Sequence, residues 1–279
     1  MKRILLPTDF SGPTLPSYKF ATELAAQING EVTVVHMIEL PLLQETTFGI
    51  QPRPHDQEAL KRLEEKARIE FDHFARLYPA DVPVTFTPIQ GDIVAGAISY
   101  IEENSIDLVV ISTHGNSAMD DFFTSSTAGK IARSSPVPVI SVPRDVSVSA
   151  IKDIVFANTL QLDQHDLMSY IRELQQILKA RLHILLINTP IHFYSDEQAK
   201  EKLKRFAEFY SLTNYTLNCR SHQHESTAIL SFIDEIHADM LALATYGRTG
   251  IPYLIKGSIA ETLVYGTDHP VWTWKIKKK

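Results

Sequence analysis

The chain contains very little cysteine and no long apolar run. A single cysteine, Cys219, stands among 279 residues, which excludes an intrachain disulfide and a zinc site built from four cysteines. A reducing compartment fits this composition. No apolar run approaches the roughly 20 residues that span a bilayer, and the stretch before Pro7 is too short for a signal-peptide core. We therefore expect a soluble cytoplasmic protein without a membrane partner.

An excess of positive charge is also lacking. Lysine and arginine number 27 against 33 aspartates and glutamates, which gives a net charge of −6 at pH 7. Nucleic-acid binding needs a basic surface that neutralises phosphates, so we expect no nucleic-acid partner. We interpret the lysines between Lys275 and Lys279 as a solvated chain end.

The composition that is present, 44% hydrophobic and 22% charged residues, is that of an ordinary globular protein. The length suits two domains of roughly 100–150 residues. Compact apolar runs alternate with stretches in which apolar residues recur at helical spacing. In the first half we predict strands at 2–8, 31–38, 83–89, 107–112 and 138–142, and helices at 13–29, 57–78, 93–104 and 124–133. Strands joined by helical crossovers run parallel, so the order predicts a doubly wound α/β sheet.

The same pattern then repeats. We predict strands at 152–156, 181–188, 215–219, 239–244 and 270–274, and helices at 163–179, 196–210, 225–237 and 258–265. Residues 106–115 match 238–247 at an offset of 132, and residues 2–8 match 152–158 at an offset of 150. We assign the 18-residue difference mostly to a loop at 39–56 that the second half lacks. The repeat predicts two domains, 1–146 and 147–279.

Three stretches resemble the universal stress protein family. They are the first strand with its following acid, Arg3–Asp9, the strand end Asp107–Gly115, and the Pro-Val-Pro-Val run of the final strand, Pro136–Val139. The resemblance covers both halves, as in a tandem member of the family. It implies two doubly wound, five-stranded, mainly parallel sheets of the adenine nucleotide alpha hydrolase type. It also implies pairing through the last strands, which gives an intrachain pseudo-dimer and leaves room for a further homo-oligomer.

The ATP-binding members of that family share a phosphate-loop signature: Gly-x-x-Gly, nine residues, then Gly followed by Ser or Thr. The second half keeps three of the four elements, at Gly247, Gly257 and Ser258. The first half keeps two, at Gly115 and Ser126. Free backbone N–H groups and the helix dipole at a helix N-terminus attract phosphate. The same glycines also suit plain turns and caps, so both interpretations stay open.

The acid that helps to hold the nucleoside in this family corresponds to Asp9, and the second half has no acid at that place. Met37 and Ile187 are second-strand residues that could lie near an adenine or simply in the core. If one half binds ATP, we expect the second half to do so. The candidate nucleotide-binding residues are Asn158, Ile187, Gly247, Arg248, Gly250, Gly257 and Ser258 in the second half, and Thr8, Asp9, Met37, Gly115, Ser125 and Ser126 in the first.

We find no signature of catalysis, neither a Walker loop nor a nucleophile elbow. His222, His224 and Glu225 resemble part of a metal site, but they lack a further ligand and suit a solvated loop better. Trp272 and Trp274 share one face of the last strand, where they pack either against the other half or within their own. We therefore expect a stress-response binding module that is non-enzymatic or weakly hydrolytic and requires no cofactor, and whose ligand, if it has one, is ATP or another adenine nucleotide. The alternative is a scaffold of the same fold that acts through protein contacts, for example through the loop at 39–56.

Overall fold

The computed structural model describes residues 1–10, 14–38, 54–113, 125–245 and 262–276. The first half contains β1 (Arg3–Thr8), α1 (Thr14–Ile28), β2 (Glu31–Ile38), α2 (Pro54–Leu77), β3 (Val84–Gln90), α3 (Ile93–Glu103), β4 (Leu108–Ser112), α4 (Ser125–Ser134) and β5 (Val139–Val142). After a 3₁₀ turn at Val148–Ala150, the second half contains β6 (Asp153–Ala157), α5 (His165–Leu178), β7 (Arg181–Asn188), α6 (Asp196–Phe209), β8 (Tyr215–Ser221), α7 (Glu225–Glu235), β9 (Met240–Thr245) and β10 (Val271–Lys275). Residues 262–265 are helical as well.

The ten strands form one sheet in the order β3-β2-β1-β4-β5-β10-β9-β6-β7-β8. Within each half every strand pair is parallel. The contiguous apolar run of β1 explains its place at the centre of its half: Ile4, Leu5 and Leu6 are all fully buried. Ile4 and Leu6 belong to the core on one face and Leu5 to the core on the other. The doubly wound α/β fold predicted from the sequence is confirmed.

The halves meet where β5 pairs with β10, and this pair is antiparallel. Trp272 lies opposite Ile140, and Thr273 lies opposite Val139. The intrachain pseudo-dimer is therefore confirmed, and its two five-stranded sheets form one continuous sheet. Since the strands of the two halves run in opposite directions, their carboxyl ends lie at opposite edges of the sheet.

The repeat extends to individual hydrogen bonds. The Asp107 carboxylate accepts hydrogen bonds from the backbone N–H groups of Lys2 and Arg3, at 2.7 and 3.0 Å. The Asp239 carboxylate accepts from Lys152 and the residue after it, at 2.8 and 3.0 Å. In each half these contacts join the start of the first strand to the start of the fourth. Residues that the two sequence offsets match therefore occupy equivalent positions in the structure.

The length difference between the halves is divided differently from our prediction. Helix α2 has 24 residues and α6 has 14, so the helix accounts for ten of the 18 extra residues. The connection that precedes the helix, 39–53 in the first half and 189–195 in the second, accounts for the other eight. The extra residues are therefore shared between the connection and the helix, and the second half has a shorter connection rather than none.

The two faces of the sheet are built differently. On the face of α1, α2, α5 and α6, one apolar core runs through both halves and contains Trp272 and Trp274. On the other face each half has a core of its own, and Tyr265 packs against both. Both predicted packing roles of the tryptophans therefore hold, because their core belongs to both halves.

Candidate functional site

The topology points to one edge of each half. In the strand order 3-2-1-4-5, the first and fourth strands are neighbours whose connections leave in opposite directions. Ligands of doubly wound sheets bind outside the carboxyl ends of the strands at this point. In the first half that point is the end of β1 and β4, and in the second it is the end of β6 and β9. Three of the candidate nucleotide-binding residues, Thr8, Asp9 and Asn158, lie there.

In the first half, the turn after β1 is held together by its own side chains. The buried Thr8 hydroxyl accepts a hydrogen bond from the Phe10 backbone N–H at 2.8 Å. The Asp9 carboxylate accepts one from the Thr14 hydroxyl at 2.9 Å, at the start of α1. Met37 is 7% exposed, and a Cβ at Gly96 would lie 3.0 Å from its methyl carbon. The Asp9 carboxylate is therefore hydrogen-bonded within the protein, and the Met37 side chain is packed in its core.

The second half makes the same turn with other residues. The Asn158 side chain accepts from the Leu160 backbone N–H at 2.6 Å and donates to the Gln164 amide oxygen at 3.0 Å. Leu160 has a φ of 60°, and Phe10 in the first half has a φ of 58°. The two turns therefore correspond residue by residue, with Asn158 in the place of Thr8. Thr159 stands in the place of Asp9, and no sequence pattern singled it out as a site residue.

A pocket opens at the carboxyl ends of β6 and β7 in the second half. Its enclosed part measures only about 30 Å³, and the rest of the pocket is open to solvent. Its lining residues are Ala157, Asn158, Thr159, Leu185, Leu186, Ile187, Glu225 and Ile229. The structure thus brings Asn158 and Ile187, which were predicted from different strands, into one pocket.

Two polar groups of this pocket are unusual. The Thr159 hydroxyl is buried, yet it has no hydrogen-bond partner among the described residues. Buried polar groups are nearly always hydrogen-bonded, so such an exception calls for an explanation. The Glu225 carboxylate, at the first residue of α7, makes no hydrogen bond or ion pair within the described ranges. A donor-acceptor hydroxyl, a carboxylate and apolar walls suit a ligand with an apolar ring and polar edges.

The predicted phosphate-loop residues Gly115, Gly247, Arg248, Gly250, Gly257 and Ser258 lie outside the described residues. Ser125 and Ser126 begin α4, but their side chains also fall outside the description. The preference for the second-half phosphate loop therefore stays a prediction. The described residues that precede these loops, at the ends of β4 and β9, neighbour β1 and β6 in the sheet.

Other candidate chemistry is sparse in the part of the chain that the structure describes. There, no group of three or more His, Cys, Asp or Glu side chains is arranged to hold a metal ion. His222 instead accepts a hydrogen bond at Nδ1 from the His224 backbone N–H, at 3.0 Å. Burial raises the pKa of the Cys219 thiol, and Asp196 adds to the effect; the thiol therefore stays protonated at neutral pH and is a poor nucleophile. No helix in the described ranges is long and apolar enough to cross a membrane.

Comparison with known proteins agrees with this architecture. The profile of the universal stress protein family matches residues 1–143. A universal stress protein of Methanocaldococcus jannaschii is 22% identical over 150 residues, which are 51% of this chain and 82% of that protein.

Several solved structures match nearly the whole chain, including the following two. The crystal structure of a universal stress protein from Archaeoglobus fulgidus has a TM-score of 0.75 and 19% identity, with 98% of each chain covered. That of a putative universal stress protein from Pseudomonas aeruginosa has a TM-score of 0.62 and 16% identity, with 99% of this chain and 93% of that one covered. At these identities the structures show a shared fold. Since the family profile itself covers more than half of the sequence, the chain belongs to the universal stress protein family.

Proposed function

We propose that the protein is a stress-response module that binds an adenine nucleotide, ATP, in its second half. The observation that carries this proposal is the pocket at the ends of β6 and β7, with the buried Thr159 hydroxyl and the apolar Ile187. A nucleoside offers a flat apolar base together with ribose hydroxyls that can pair with Thr159. The pocket includes the end of β6, one of the two strands that flank the point where doubly wound sheets bind nucleotides.

The expected phosphate loop supports the same half. It begins after β9, which is next to β6 in the sheet, and it keeps Gly247, Gly257 and Ser258 of the family signature. Phosphates bound there would be adjacent to a ribose at Thr159. We propose binding without turnover, or with slow hydrolysis at most, because the sequence carries neither a Walker loop nor a nucleophile elbow.

Protein contacts are the second candidate function, and an exposed connection favours them. Ile191 and Phe193 are 85% and 72% exposed. Their connection is held in shape by Asn188, whose side chain accepts from the Tyr194 backbone N–H at 2.7 Å and donates to its carbonyl at 2.9 Å. An ordered turn that presents two large apolar side chains suits a protein partner.

Two measurements separate these functions. Nucleotide released from the purified protein by heat can be identified by chromatography, and calorimetric titration with ATP measures binding directly. We expect ATP to bind with one site per chain. If the purified protein carries no nucleotide and shows no heat of ATP binding, the nucleotide proposal is wrong and the protein-contact function is favoured.

A pair of variants tests which half binds. Gly257→Asp places a carboxylate and a side chain where the second-half phosphates would lie, so we expect ATP affinity to fall at least tenfold. Gly115→Asp is the matched change in the first half and should have a smaller effect. The reverse ranking in calorimetric titration would assign the site to the first half. ATP turnover above a no-protein control, abolished by either change, would show that the protein is a hydrolase.

A further inference from the structure

The order of the strands sets the order of contacts along the second-half pocket. From the middle of the sheet outward the strands are β9, β6, β7 and β8. Thr159 follows β6, Ile187 lies near the end of β7, and Glu225 begins the helix that follows β8. All three line one pocket. A ligand extended outward from β9 therefore meets Thr159 before Ile187, and Glu225 lies beside them at the start of α7, the helix that packs over β7.

This order matches the parts of a nucleotide. If the phosphates lie beyond β9, as in the proposed function on which this inference rests, the ribose lies at Thr159 and the base at Ile187. Ile229, also in the pocket, adds an apolar wall from α7. One edge of the base then faces Glu225.

The chemistry of Glu225 restricts that edge. An ionised carboxylate only accepts hydrogen bonds. Within the described residues the Glu225 carboxylate has no hydrogen bond or ion pair, so it is free to accept one from a ligand. We propose that Glu225 reads the base by accepting a hydrogen bond from its exocyclic amine, and that the site thereby selects the 6-amino group of adenine.

The first half lacks this group. The residue at the matching place, 132 positions earlier, is Ile93, the first residue of α3 as Glu225 is of α7. The first half therefore has the acid after its first strand, Asp9, and an apolar residue at the base edge. The second half has Thr159 and Glu225 in those places. The two halves thus carry their carboxylate at different ends of the nucleoside.

The test compares ATP with purine riboside 5′-triphosphate, which differs from ATP only in lacking the 6-amino group. In calorimetric titration of the full chain, we expect ATP to bind roughly tenfold more tightly, since a hydrogen bond to a charged group is lost in the analogue. Glu225→Ala should reduce this ratio to about one, and Glu225→Gln should restore part of it because the amide oxygen still accepts.

The ratio of the affinity for ATP to the affinity for the analogue is the informative quantity, because removal of a negative charge changes the affinity of both triphosphates equally. Ile93→Ala is the matched control and should leave the ratio unchanged. Thermal unfolding of each variant checks that the fold is intact.

A ratio that survives Glu225→Ala would overturn the assignment while leaving ATP binding in place. Tighter binding of GTP than of ATP, lost in Glu225→Ala, would overturn the choice of adenine. If neither triphosphate binds, the proposed function itself is wrong.

Discussion

At the scale of single residues, the turn after the first strand shows how the two halves differ. Both turns keep a buried side chain that accepts the backbone N–H two residues on, Thr8 in one and Asn158 in the other. The intervening residue differs in kind. Asp9 has a hydrogen bond to Thr14, whereas the Thr159 hydroxyl is buried without a partner in the described part of the chain. Both halves therefore share the hydrogen bond that shapes the turn. They differ at the residue enclosed by that bond, which is Asp9 in the first half and Thr159 in the second.

Thr159→Val tests whether this hydroxyl is kept for a ligand. A buried hydroxyl without a partner costs free energy, and valine has the same shape without that cost. We expect the free energy of unfolding of the ligand-free protein to stay the same or to rise by up to about 1 kcal/mol, while ATP affinity falls. Chemical denaturation and calorimetric titration measure the two effects.

Thr8→Val is the matched control for that change. The Thr8 hydroxyl accepts a hydrogen bond from Phe10, so its loss leaves a backbone N–H unsatisfied and should lower stability by about 1–2 kcal/mol. Equal destabilisation by both changes would mean that Thr159 has a structural partner of its own.

The sequence patterns singled out Asn158 but not Thr159 or the role of Glu225, for identifiable reasons. The 150-residue offset aligns Thr159 with Asp9, but a threonine in place of an acid indicates only the loss of a function. Its importance depends on burial without a partner, which no sequence pattern shows. Glu225 was noticed only beside His222 and His224, because a strand order is needed before it can be placed next to Ile187.

At the scale of the elements, a polar ladder crosses β6, β7 and β8. His183 Nε2 lies 2.8 Å from the Asp153 carboxylate, and its Nδ1 lies 2.7 Å from the Thr216 hydroxyl. The Asn218 amide donates to that hydroxyl at 2.8 Å. A neutral imidazole protonated at Nε2 satisfies every member, because Thr216 then donates to Nδ1 while accepting from Asn218. Across the outer strands of the first half, the corresponding contact is a hydrogen bond between the Thr85 and Thr33 hydroxyls at 3.3 Å.

His183→Leu should break this ladder. It removes the partner of both Asp153 and Thr216, and we expect stability to fall by about 1–3 kcal/mol. The lower end is favoured because the Asp153 side chain is 35% exposed and water partly replaces the histidine. Thr33→Val, the counterpart in the first half, should cost less than His183→Leu. Urea denaturation of the two variants measures the difference, and a larger effect of Thr33→Val would contradict it.

Most boundaries of helices and strands could be predicted from the sequence, but the start of α2 could not. Equivalent helices and strands follow the two offsets because the same apolar spacing recurs in both halves. The stretch before Gln57 was predicted to be a loop because it contains three prolines. Pro54, however, is the first residue of α2, where proline is well tolerated since the N–H it lacks has no partner in the first helical turn.

At the scale of the whole molecule, the two faces of the sheet connect the halves in different ways. One face is joined by a continuous apolar core. On the other, Tyr265 packs against the separate cores of both halves, and its hydroxyl accepts a hydrogen bond from the Gly129 backbone N–H of α4. The junction on that face therefore depends on a close approach that only glycine permits at position 129.

Gly129→Ala tests this junction. A Cβ there would lie 2.7 Å from the Tyr265 hydroxyl oxygen, so the phenol must withdraw. Alanine normally stabilises a helix by up to about 1 kcal/mol relative to glycine, but here we expect a net loss of about 1–2 kcal/mol from the broken bond and disturbed packing. Thermal unfolding measures the change. Tyr265→Phe removes only the hydroxyl and should cost less than Gly129→Ala; a stabilised Gly129→Ala protein would contradict the proposed role of the contact.

The antiparallel pairing of β5 with β10 within one chain has a consequence for how the halves respond to concentration. Two separate subunits joined by such a pair would dissociate on dilution, and their composition would follow mass action. Here each chain always unites one Asp9-bearing half with one Glu225-bearing half, at any dilution and in a fixed one-to-one ratio. Unlike halves that never exchange partners can specialise separately, so one can lose features that the other retains without producing mismatched assemblies.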